Sequence, residues 1–514
     1  MTVGELLQAL ARALPSSERP EMHVDATRRP VSGGPAAFGA ACTGVTHDSR
    51  RVTPGMVFVA LRGLKADGIG FVPQAIAAGA AAIVAEQAAP AGVRVPWMAV
   101  RNARLALALL AAEFFEHPSR QLQVVGITGT NGKTTTSYLV NAIFEAAGVR
   151  CGLMGTVVYR IGDRVFDATR TTPEAPEVQG FLRQMVNAGC GACVMEVSSH
   201  ALALNRVDGI GFAAAIFTNL TRDHLDFHGD MESYFAAKRR LFELLPAGAP
   251  AVVNTDDPRA GALIETVSNP VTYGINKPAD ISPGPLSYAL SGLQFDVRTP
   301  AGPVHVKSRL VGRPNVYNIL AAIGVTSALG VPADAIERGL TALPGVPGRF
   351  EVASNPADDI TVVVDYAHTD DALRNLLETT RSMATHRVIT VFGAGGDRDR
   401  TKRPLMGMVA ARLSDVVIIT SDNPRSEDPL RIIDEVTRGA GAETRQSNAQ
   451  LLTIADRHDA ITQAIQLAMP GDVVLVAGKG HEKYQEIGGR TLPFDDVAVA
   501  REALASRRVK SRAG

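Results

Sequence analysis

The run Val124-Val-Gly-Ile-Thr-Gly-Thr-Asn-Gly-Lys-Thr-Thr-Thr136 is the most informative part of this 514-residue chain. It begins with apolar and β-branched residues typical of a short strand, continues through a glycine-rich turn, and predicts a helix starting near Lys133. A strand, a glycine turn and a helix in this order direct backbone N–H groups towards one point, where a polyphosphate can bind. We therefore predict a phosphate-binding loop and the use of ATP.

Two residues of this loop have side chains suited to a nucleotide and its cation. Lys133 would reach the outer phosphates of ATP, and the Thr134 hydroxyl would hold Mg²⁺. The pattern G-x-x-x-x-G-K-[ST] is incomplete because Ile127 stands at the first glycine position, so Gly129 and Gly132 must supply the backbone freedom. A glycine turn without a ligand is the alternative, but Gly-Lys-Thr-Thr seldom follows an apolar strand for folding reasons alone. The predicted ATP-binding residues of the loop are Gly129, Thr130, Asn131, Gly132, Lys133, Thr134 and Thr135.

Composition excludes several classes of protein. The 52 Lys and Arg residues balance the 52 Asp and Glu residues, so no overall charge attracts nucleic acid or an anionic membrane. The longest apolar run, from Leu105 to Phe115, contains Glu113 and is too short to span a bilayer, so we expect no membrane insertion. The four cysteines are too few for a disulfide framework, which favours a reducing cytoplasm. Cys190 and Cys193 are interpreted as buried strand residues and not as a redox or zinc site.

The length of the chain predicts three domains, with boundaries at residues 1–118, 119–347 and 348–514. The first boundary precedes the phosphate-loop strand, and the second follows the run Pro344-Gly-Val-Pro. The last domain contains apolar runs such as Thr361-Val-Val-Val-Asp365, each followed by a polar loop. Continuous Val and Ile runs are typical of parallel strands covered on both faces, so an α/β fold is predicted. Ligands bind such sheets at the carboxyl ends of the strands.

Two residues of the middle domain are candidate metal ligands. Glu196 ends an apolar strand in the same domain as Lys133, and a carboxylate there can help to hold the Mg²⁺ of the nucleotide. His224 lies in a polar loop and could ligate a second metal through a neutral imidazole. A loop histidine that only forms hydrogen bonds, and a surface glutamate, are the alternatives.

Lys238 lies on an apolar helix face, four residues after Tyr234 and three before Leu241. Burial favours the neutral amine, which is the form that reacts with CO₂ to give a carbamate. A carbamate would turn a cation into an anionic group suited to Mg²⁺. The alternative is a lysine whose ammonium group extends to solvent, and the residues alone favour this alternative.

Together and in this order, the motifs resemble the Mur ligase family of peptidoglycan synthesis. The motifs are residues 129–135, 196–200, 219–224, 348–351, 365–368, 395–398, 422–425 and 478–482, with Lys238 between the third and fourth. The resemblance implies an N-terminal UDP-binding domain, a central phosphate-loop ATPase domain with a parallel sheet, and a C-terminal Rossmann-like domain that brings the amino acid. It also implies a cytoplasmic enzyme, expected to be a monomer, that acts on small molecules. ATP would phosphorylate the γ-carboxylate of a D-glutamyl residue, and the amine of an amino acid would displace the phosphate.

The resemblance also assigns site residues. Asn315, Arg349 and Asp365 would contact the nucleotide, and Thr134, Glu196, His224 and carbamylated Lys238 would hold Mg²⁺. Pro314 stands where the family has Phe, which leaves the shape of that loop open. The residues expected to contact the UDP-muramoyl dipeptide are Ser49, Arg50, Thr171, Thr172, Ser198 and Arg206.

The amino-acid substrate is predicted from charge. Arg425 offers a planar donor fork for the distal carboxylate of meso-diaminopimelate, and Arg398 and Glu482 can engage the charged groups at the two stereocentres. A site built around a buried donor discriminates against lysine, which lacks that carboxylate. The residues expected at this site are Arg398, Asp422, Asn423, Pro424, Arg425, Gly478 and Glu482.

Four alternatives share parts of this pattern. A lysine-adding Mur ligase and a folate polyglutamate synthase have the same architecture, and the run Asp422-Asn-Pro-Arg425 argues against both. A phosphate-loop switch or motor would leave the motifs of Arg425 and Glu482 without a purpose. A non-catalytic nucleotide-binding scaffold would not require Gly-Lys-Thr together with Glu196 and Lys238.

Overall fold

A computed structural model describes residues 1–15, 21–23, 38–63, 66–289 and 291–513 of the chain. Within these ranges the strands form large sheets of five, eight and six strands, with smaller sheets beside them. Helices cover the sheets, so the predicted α/β class is confirmed. Each large sheet falls within one of the three predicted domains, and the domain boundaries themselves stay predictions.

The N-terminal sheet has Gly44–Thr46, Met56–Val59, Ala82–Ala85 and Trp97–Ala99 in parallel order, with Glu21–His23 antiparallel at the far edge. Its helices are Val3–Ala13, Val72–Ala77 and Ala103–Phe114. The polar turn after the first of the parallel strands forms the short helix Ser49–Arg51, whose N-terminus is capped by the Asp48 side chain.

The central sheet positions the phosphate loop. Its strand order is Pro270–Tyr273, Ala251–Asn254, Phe212–Phe217, Gln123–Thr128, Ala192–Glu196, Cys151–Met154, Val158–Ile161 and Arg164–Asp167. The first six are parallel and the last two form an antiparallel extension. The phosphate-loop strand therefore lies between two parallel neighbours, and Glu196 pairs in register with Ile127. Because parallel strands end at one edge, Thr128, Glu196 and Phe217 finish side by side.

The helices of this region are Lys133–Ala146, Ala175–Asn187, Ser199–Ala203, Leu225–His228, Met231–Glu243, Ala260–Ile264, Arg313–Ala328 and Ala333–Ala342. A small antiparallel sheet contains Ser282–Pro283, Ser287–Ala289, Gly292–Thr299 and Gly302–Ser308. The predicted helix start at Lys133 is confirmed, and it follows Gly132 at φ 89°. Gly129 has φ 145°, and a Cβ there would overlap the Thr218 side chain. Both glycines are thus required by conformation, as the loop sequence predicted.

The C-terminal sheet has the order Glu351–Val352, Thr361–Asp365, Val473–Ala477, Val388–Phe392, Val416–Ile419 and Gln450–Thr453, parallel except for the first strand. Asp370–Arg381, Lys402–Leu413, Pro429–Ser447, Arg457–Leu467 and Asp496–Ala513 are its helices, and Tyr484–Ile487 pairs with Arg490–Pro493 as a hairpin. Two hydrophobic clusters cover the two faces of the sheet. The apolar runs predicted as strands are strands, and both faces are buried as their continuous Val and Ile content indicated.

Two smaller predictions can be compared with the structure. Across the described ranges, no helix combines the length and the apolar character needed to cross a membrane. Cys193 lies in the buried strand Ala192–Glu196, as predicted. Cys190 is also buried, but it lies in the turn before that strand, so its assignment to the strand was wrong. Gly189 and Gly191 on either side of it favour a turn over a strand.

Candidate active site

A cavity of about 800 Å³ lies at the carboxyl edge of the central sheet. The phosphate loop and the ends of the neighbouring strands form one wall. Arg349, Asp365, Tyr366 and His368 reach it from the C-terminal third of the chain. The cavity therefore lies where the central and C-terminal regions meet.

Residues that follow the neighbouring strand Phe212–Phe217 stabilise the conformation of the phosphate loop. The Thr218 hydroxyl donates to the carbonyl of Asn131 at 2.6 Å, and the Asn131 amide donates to the Asn219 side chain at 2.9 Å. Lys133 folds back over the loop, and its Nζ donates to the carbonyls of Gly129 and Thr130, both at 2.8 Å. Burial lowers the pKa of the Lys133 ammonium. These bonds fix the conformation of the loop and hold the Lys133 amine against its backbone.

The two groups predicted to hold Mg²⁺ through oxygen are in direct contact. The Thr134 hydroxyl donates to Glu196 Oε2 at 3.0 Å, and Glu196 is only 1% exposed. Thr156 donates twice to the same carboxylate, from its amide at 2.8 Å and from its hydroxyl at 3.0 Å. Arg349 Nη2 donates to the Thr134 hydroxyl at 3.1 Å. Sequence analysis did not identify Thr156, whose loop carries no motif of its own.

Lys238 is buried at 1% exposure, so its ammonium group does not extend to solvent. Its Nζ donates to the Gly129 carbonyl at 2.7 Å and lies 4.5 Å from the centre of the Tyr234 ring. Burial, followed by the nearby Lys133 charge, lowers the pKa of the Lys238 amine well below its ordinary value. These surroundings favour the neutral amine that carbamate formation requires. Carbamylation itself stays a prediction.

His224 lines the cavity in the left-handed conformation, with φ 54°. Its ring meets the His200 ring edge to face, with centroids 4.8 Å apart. Burial lowers the pKa of His224 to about 3, so the imidazole is neutral near pH 7 and has a lone pair for a cation. His228, to which only an ordinary hydrogen-bonding role was assigned, contacts the Ser199 hydroxyl at 2.9 Å.

The central-domain residues predicted to contact the UDP-muramoyl dipeptide lie together. Thr171 and Thr156 share a hydroxyl contact of 3.1 Å. The Ser198 amide donates to the Thr172 hydroxyl at 3.1 Å, and Arg206 donates to the Thr172 carbonyl at 3.1 Å. The cluster adjoins Thr134 and Glu196 through Thr156.

Ser49 and Arg50 lie apart from this cluster, on the N-terminal sheet. The Ser49 hydroxyl donates to the Gln74 side chain at 3.0 Å. The Arg50 side chain is 82% exposed and pairs with Asp48 at 2.8 Å. Neither residue lines the cavity of about 800 Å³. Their contact with the uridine diphosphate stays a prediction.

Asn315 and Asp365, which were also predicted to contact the nucleotide, line the same cavity. Asn315 donates to the Val311 carbonyl at 2.7 Å and accepts from Asn318 at 2.9 Å. Asp365 accepts from the amides of Phe350 and Ala367 at 2.6 and 2.8 Å, and burial raises its pKa. These hydrogen bonds fix the orientations of the Asn315 and Asp365 side chains.

Besides the bond from Arg349 to Thr134, a second bond joins the phosphate loop to the C-terminal region. Asn131 Nδ2 donates to Asp371 Oδ2 at 3.1 Å, which joins the loop to the C-terminal helix Asp370–Arg381. Sequence analysis missed Asp371, since an acidic residue in the first turn of a helix is ordinarily explained by the helix dipole.

A second cluster contains the residues predicted to bind the amino acid. Lys479 is buried, and its Nζ donates to Asn423 Oδ1 at 2.9 Å and to Glu482 Oε2 at 3.3 Å. Asn423 Nδ2 donates to the same Glu482 oxygen at 2.9 Å. Burial and then the Asp422 charge raise the pKa of Glu482. Lys479, which sequence analysis had not assigned a role, thus lies at the centre of the predicted residues Asp422, Asn423 and Glu482.

Arg425 and Arg398 lie on adjoining loops of the same cluster. Arg425 Nη1 donates to the Gly396 carbonyl at 2.8 Å, and its Nε pairs with Glu486 at 2.9 Å. Arg398 is exposed, and its Nη1 donates to the Asp397 carbonyl at 3.2 Å. Pro424 and Gly478 belong to the loops that carry these groups, and the Gly478 amide donates to the Asp365 carbonyl at 3.1 Å.

The second cluster adjoins the large cavity at Asp365, through the Gly478 amide, and at Tyr366, through a pair of rings. The centroid of Tyr366, which lines the cavity, lies 5.0 Å from that of His481 in the loop of residues 478–482. Arg349 lies over the other side of this contact, 4.6 Å from the centre of the Tyr366 ring. The phosphate loop and the cluster predicted to bind the amino acid therefore lie close to the same cavity.

Comparisons with known proteins match most of the chain. Residues 41–115 match the model described as Mur ligase family, catalytic domain, residues 127–326 match the Mur ligase middle domain, and residues 348–480 match the Mur ligase, glutamate ligase domain.

Two curated relatives and one solved structure carry the same name. The UDP-N-acetylmuramoyl-L-alanyl-D-glutamate–2,6-diaminopimelate ligase of Solibacter usitatus is 48% identical over 465 residues, covering 90% of this chain and 93% of the relative. The ligase of that name from Gloeobacter violaceus is 48% identical over 466 residues, covering 90% and 94%. A solved structure of such a ligase matches with a TM-score of 0.66 and 34% identity, covering 92% of this chain and 96% of its own.

Proposed function

The chain belongs to the Mur ligase family, and from this we propose that it joins meso-diaminopimelate to UDP-N-acetylmuramoyl-L-alanyl-D-glutamate at the expense of ATP. The observation that carries the proposal is the adjacency of two clusters. A phosphate loop in contact with Glu196 lies beside a cluster that contains Arg425, Asn423 and Glu482. The first is suited to phosphoryl transfer, and the second to a zwitterionic amino acid with an extra carboxylate.

ATP binding falls to the phosphate loop. Its backbone amides and Lys133 would neutralise the charge of the transferring phosphoryl group. The hydroxyl of Thr134 and the carboxylate of Glu196 are hard oxygen donors already in contact, a donor set that suits Mg²⁺. Neutral His224 and carbamylated Lys238 would complete the ligands. Bound there, Mg²⁺ would supply charge neutralisation at the phosphates.

The reaction proceeds through an acyl phosphate. The γ-carboxylate of the D-glutamyl residue attacks the γ-phosphorus of ATP, and ADP leaves. The free amine of diaminopimelate then attacks the acyl carbon, the tetrahedral intermediate expels phosphate, and the nitrogen loses its proton. Thr172 donates to the Glu196 carbonyl and contacts Ser198 and Arg206, and with Thr171 these residues would hold the dipeptide for the first step.

Exclusion of water protects the acyl phosphate. The bonds from Arg349 to Thr134 and from Asn131 to Asp371 join the C-terminal region to the phosphate loop. These bonds bring C-terminal residues against the phosphate loop, where they would shield the intermediate.

Charge favours diaminopimelate over lysine. Arg425 can pair with the distal carboxylate, and a donor left without that partner penalises lysine. Asp422 and Glu482, which both pair with Lys479, provide acidic groups for an ammonium, and Asn423 donates to Glu482. We further propose that the enzyme works as a monomer in the cytoplasm on these small molecules.

The test is a product assay with purified protein, ATP, Mg²⁺ and the UDP-dipeptide. Diaminopimelate, lysine and glutamate are supplied separately, and phosphate and the amide product are both measured. We expect amide product with diaminopimelate only, and none from the Lys133→Ala variant, which should remain folded. Phosphate release without any amino acid would indicate a motor, and no release at all a scaffold.

A further inference from the structure

We propose that Glu486 is a positioning residue that holds the Arg425 guanidinium in the orientation needed to select an amino acid with a distal carboxylate. The inference rests on the proposed function. Glu486 lies in the strand Tyr484–Ile487 of the C-terminal hairpin, outside every motif that the sequence analysis singled out.

The backbone of the hairpin is fastened to the loop that carries Arg425. The Arg425 amide donates to the Glu486 carbonyl at 3.0 Å, and the Gly488 amide donates to the Arg425 carbonyl at 2.8 Å. The Glu486 amide donates to Asn423 Oδ1 at 3.0 Å. Arg425 itself has φ 51°, a conformation that side-chain-bearing residues rarely adopt. The hairpin thus stabilises the left-handed turn from which the Arg425 side chain begins.

The side chains divide the donors of Arg425 into two sets. Glu486 Oε2 pairs with Nε at 2.9 Å, and the Gly396 carbonyl accepts from Nη1 at 2.8 Å. No acceptor for Nη2 occurs among the residues that the structure describes. The protein therefore engages Nε and Nη1 of Arg425, and Nη2 is left for a ligand. A charge-assisted contact from Nη2 to a carboxylate would recognise the distal group of the amino acid.

Because the protein already contacts Nε and Nη1, Arg425 loses less conformational freedom when a ligand binds to it. The Arg425 side chain is 25% exposed and Glu486 36% exposed, so water can reach the pair. Without Glu486, only the bond to the Gly396 carbonyl would hold the guanidinium. The pair also changes the charge that a substrate meets. Because Glu486 already neutralises part of the Arg425 charge, the contribution of Arg425 to substrate binding depends on its orientation as well as on electrostatic attraction.

Steady-state kinetics of the full-length enzyme test this role. The KM values for diaminopimelate, lysine, ATP and the UDP-dipeptide are measured for the wild type, Glu486→Ala and Glu486→Gln. Loss of the ion pair that orients Arg425 should raise KM for diaminopimelate about tenfold in Glu486→Ala, with the other KM values unchanged. Glu486→Gln removes the charge but keeps an oxygen beside Nε, and should give an intermediate value.

Two further variants make the result specific. In an Arg425→Ala background, Glu486→Ala should have no additional effect, because the residue it positions is gone. Glu443→Gln, which breaks the bidentate surface pair with Arg412 in the same region, should leave every KM unchanged.

The outcomes separate this inference from the proposed function. A lower KM for diaminopimelate in Glu486→Ala would mean that Glu486 competes with the substrate, and would overturn the positioning role. A reduced Tm with an unchanged KM would assign Glu486 to hairpin stability alone and would also overturn it. A wild-type enzyme that ligates no diaminopimelate would instead refute the proposed function.

Discussion

Replacement of Glu196 by Gln changes one atom of the group that contacts the Thr134 hydroxyl, and should abolish most of the activity while preserving the fold. The carboxylate accepts from the Thr156 amide, the Thr156 hydroxyl and the Thr134 hydroxyl, at 2.8, 3.0 and 3.0 Å. A glutamine oxygen can keep the bond to the Thr156 amide. Its NH₂ group then faces two hydroxyls, which can rotate to accept.

The expected effects on stability and catalysis differ in size. The rearranged contacts should cost about 1 kcal/mol of folding free energy, as for an ordinary hydrogen bond that is remade less favourably. Loss of the negative charge from the predicted Mg²⁺ site should cost about 3–4 kcal/mol in the transition state, or about 10²–10³ in kcat, the scale for one preorganised electrostatic group. The half-saturating Mg²⁺ concentration should rise as well, since an anionic ligand becomes neutral.

The assay measures phosphate and amide product over a range of Mg²⁺ concentrations, with Tm recorded for each variant. Thr156→Val is the matched control, because it removes one bond to Glu196 but leaves the carboxylate; it should retain activity within about tenfold of the wild type. A folded Glu196→Gln variant with kcat within about threefold of the wild type and an unchanged Mg²⁺ dependence would refute the role of Glu196.

Three other predictions follow from the same geometry. Lys238→Ala should be nearly inactive and partly restored by a small carboxylic acid in the buffer, measured as product formation; an active variant without rescue would exclude the carbamate. Arg425→Ala should lose about 2–5 kcal/mol of transition-state binding for diaminopimelate but little for lysine, so equal losses in kcat/KM would make it a structural residue only. Burial lowers the pKa of His368 to about 4, so the unfolded chain binds its proton first as pH falls and Tm should decrease between about pH 6.5 and 4. His368→Gln should lessen this decrease in a thermal scan, and an unchanged pH dependence would contradict the assignment.

Sequence patterns predicted the elements whose conformation depends mainly on neighbouring residues. The order of apolar run, glycine turn and Lys133 predicted where the strand ends and the helix begins, because backbone conformation near glycine depends on adjacent residues. The spacing of Tyr234, Lys238 and Leu241 predicted a shared helix face, and all three are buried. The charge of lysine alone favoured a solvent-exposed ammonium group for Lys238. Its burial results from the packing of the helix against the phosphate loop, which only the tertiary structure shows.

Contacts between distant segments required the tertiary structure. Thr156 and Asp371 lie outside every motif, and Lys479 lies in a motif but was assigned no role. Each acquires its place from a residue at least 40 positions away. Glu486 is the clearest case, because nothing near it in sequence distinguishes it from a surface glutamate. Only the docking of the hairpin against the Arg425 loop brings the two charges to 2.9 Å. The sequence by itself determined the groups that local motifs carry, such as Lys133, Thr134 and Glu196, because the phosphate loop and the strand ends are local patterns. The tertiary structure decided which of those groups touch and which edge of each remains free, because burial and hydrogen-bond geometry depend on segments that are adjacent only after folding.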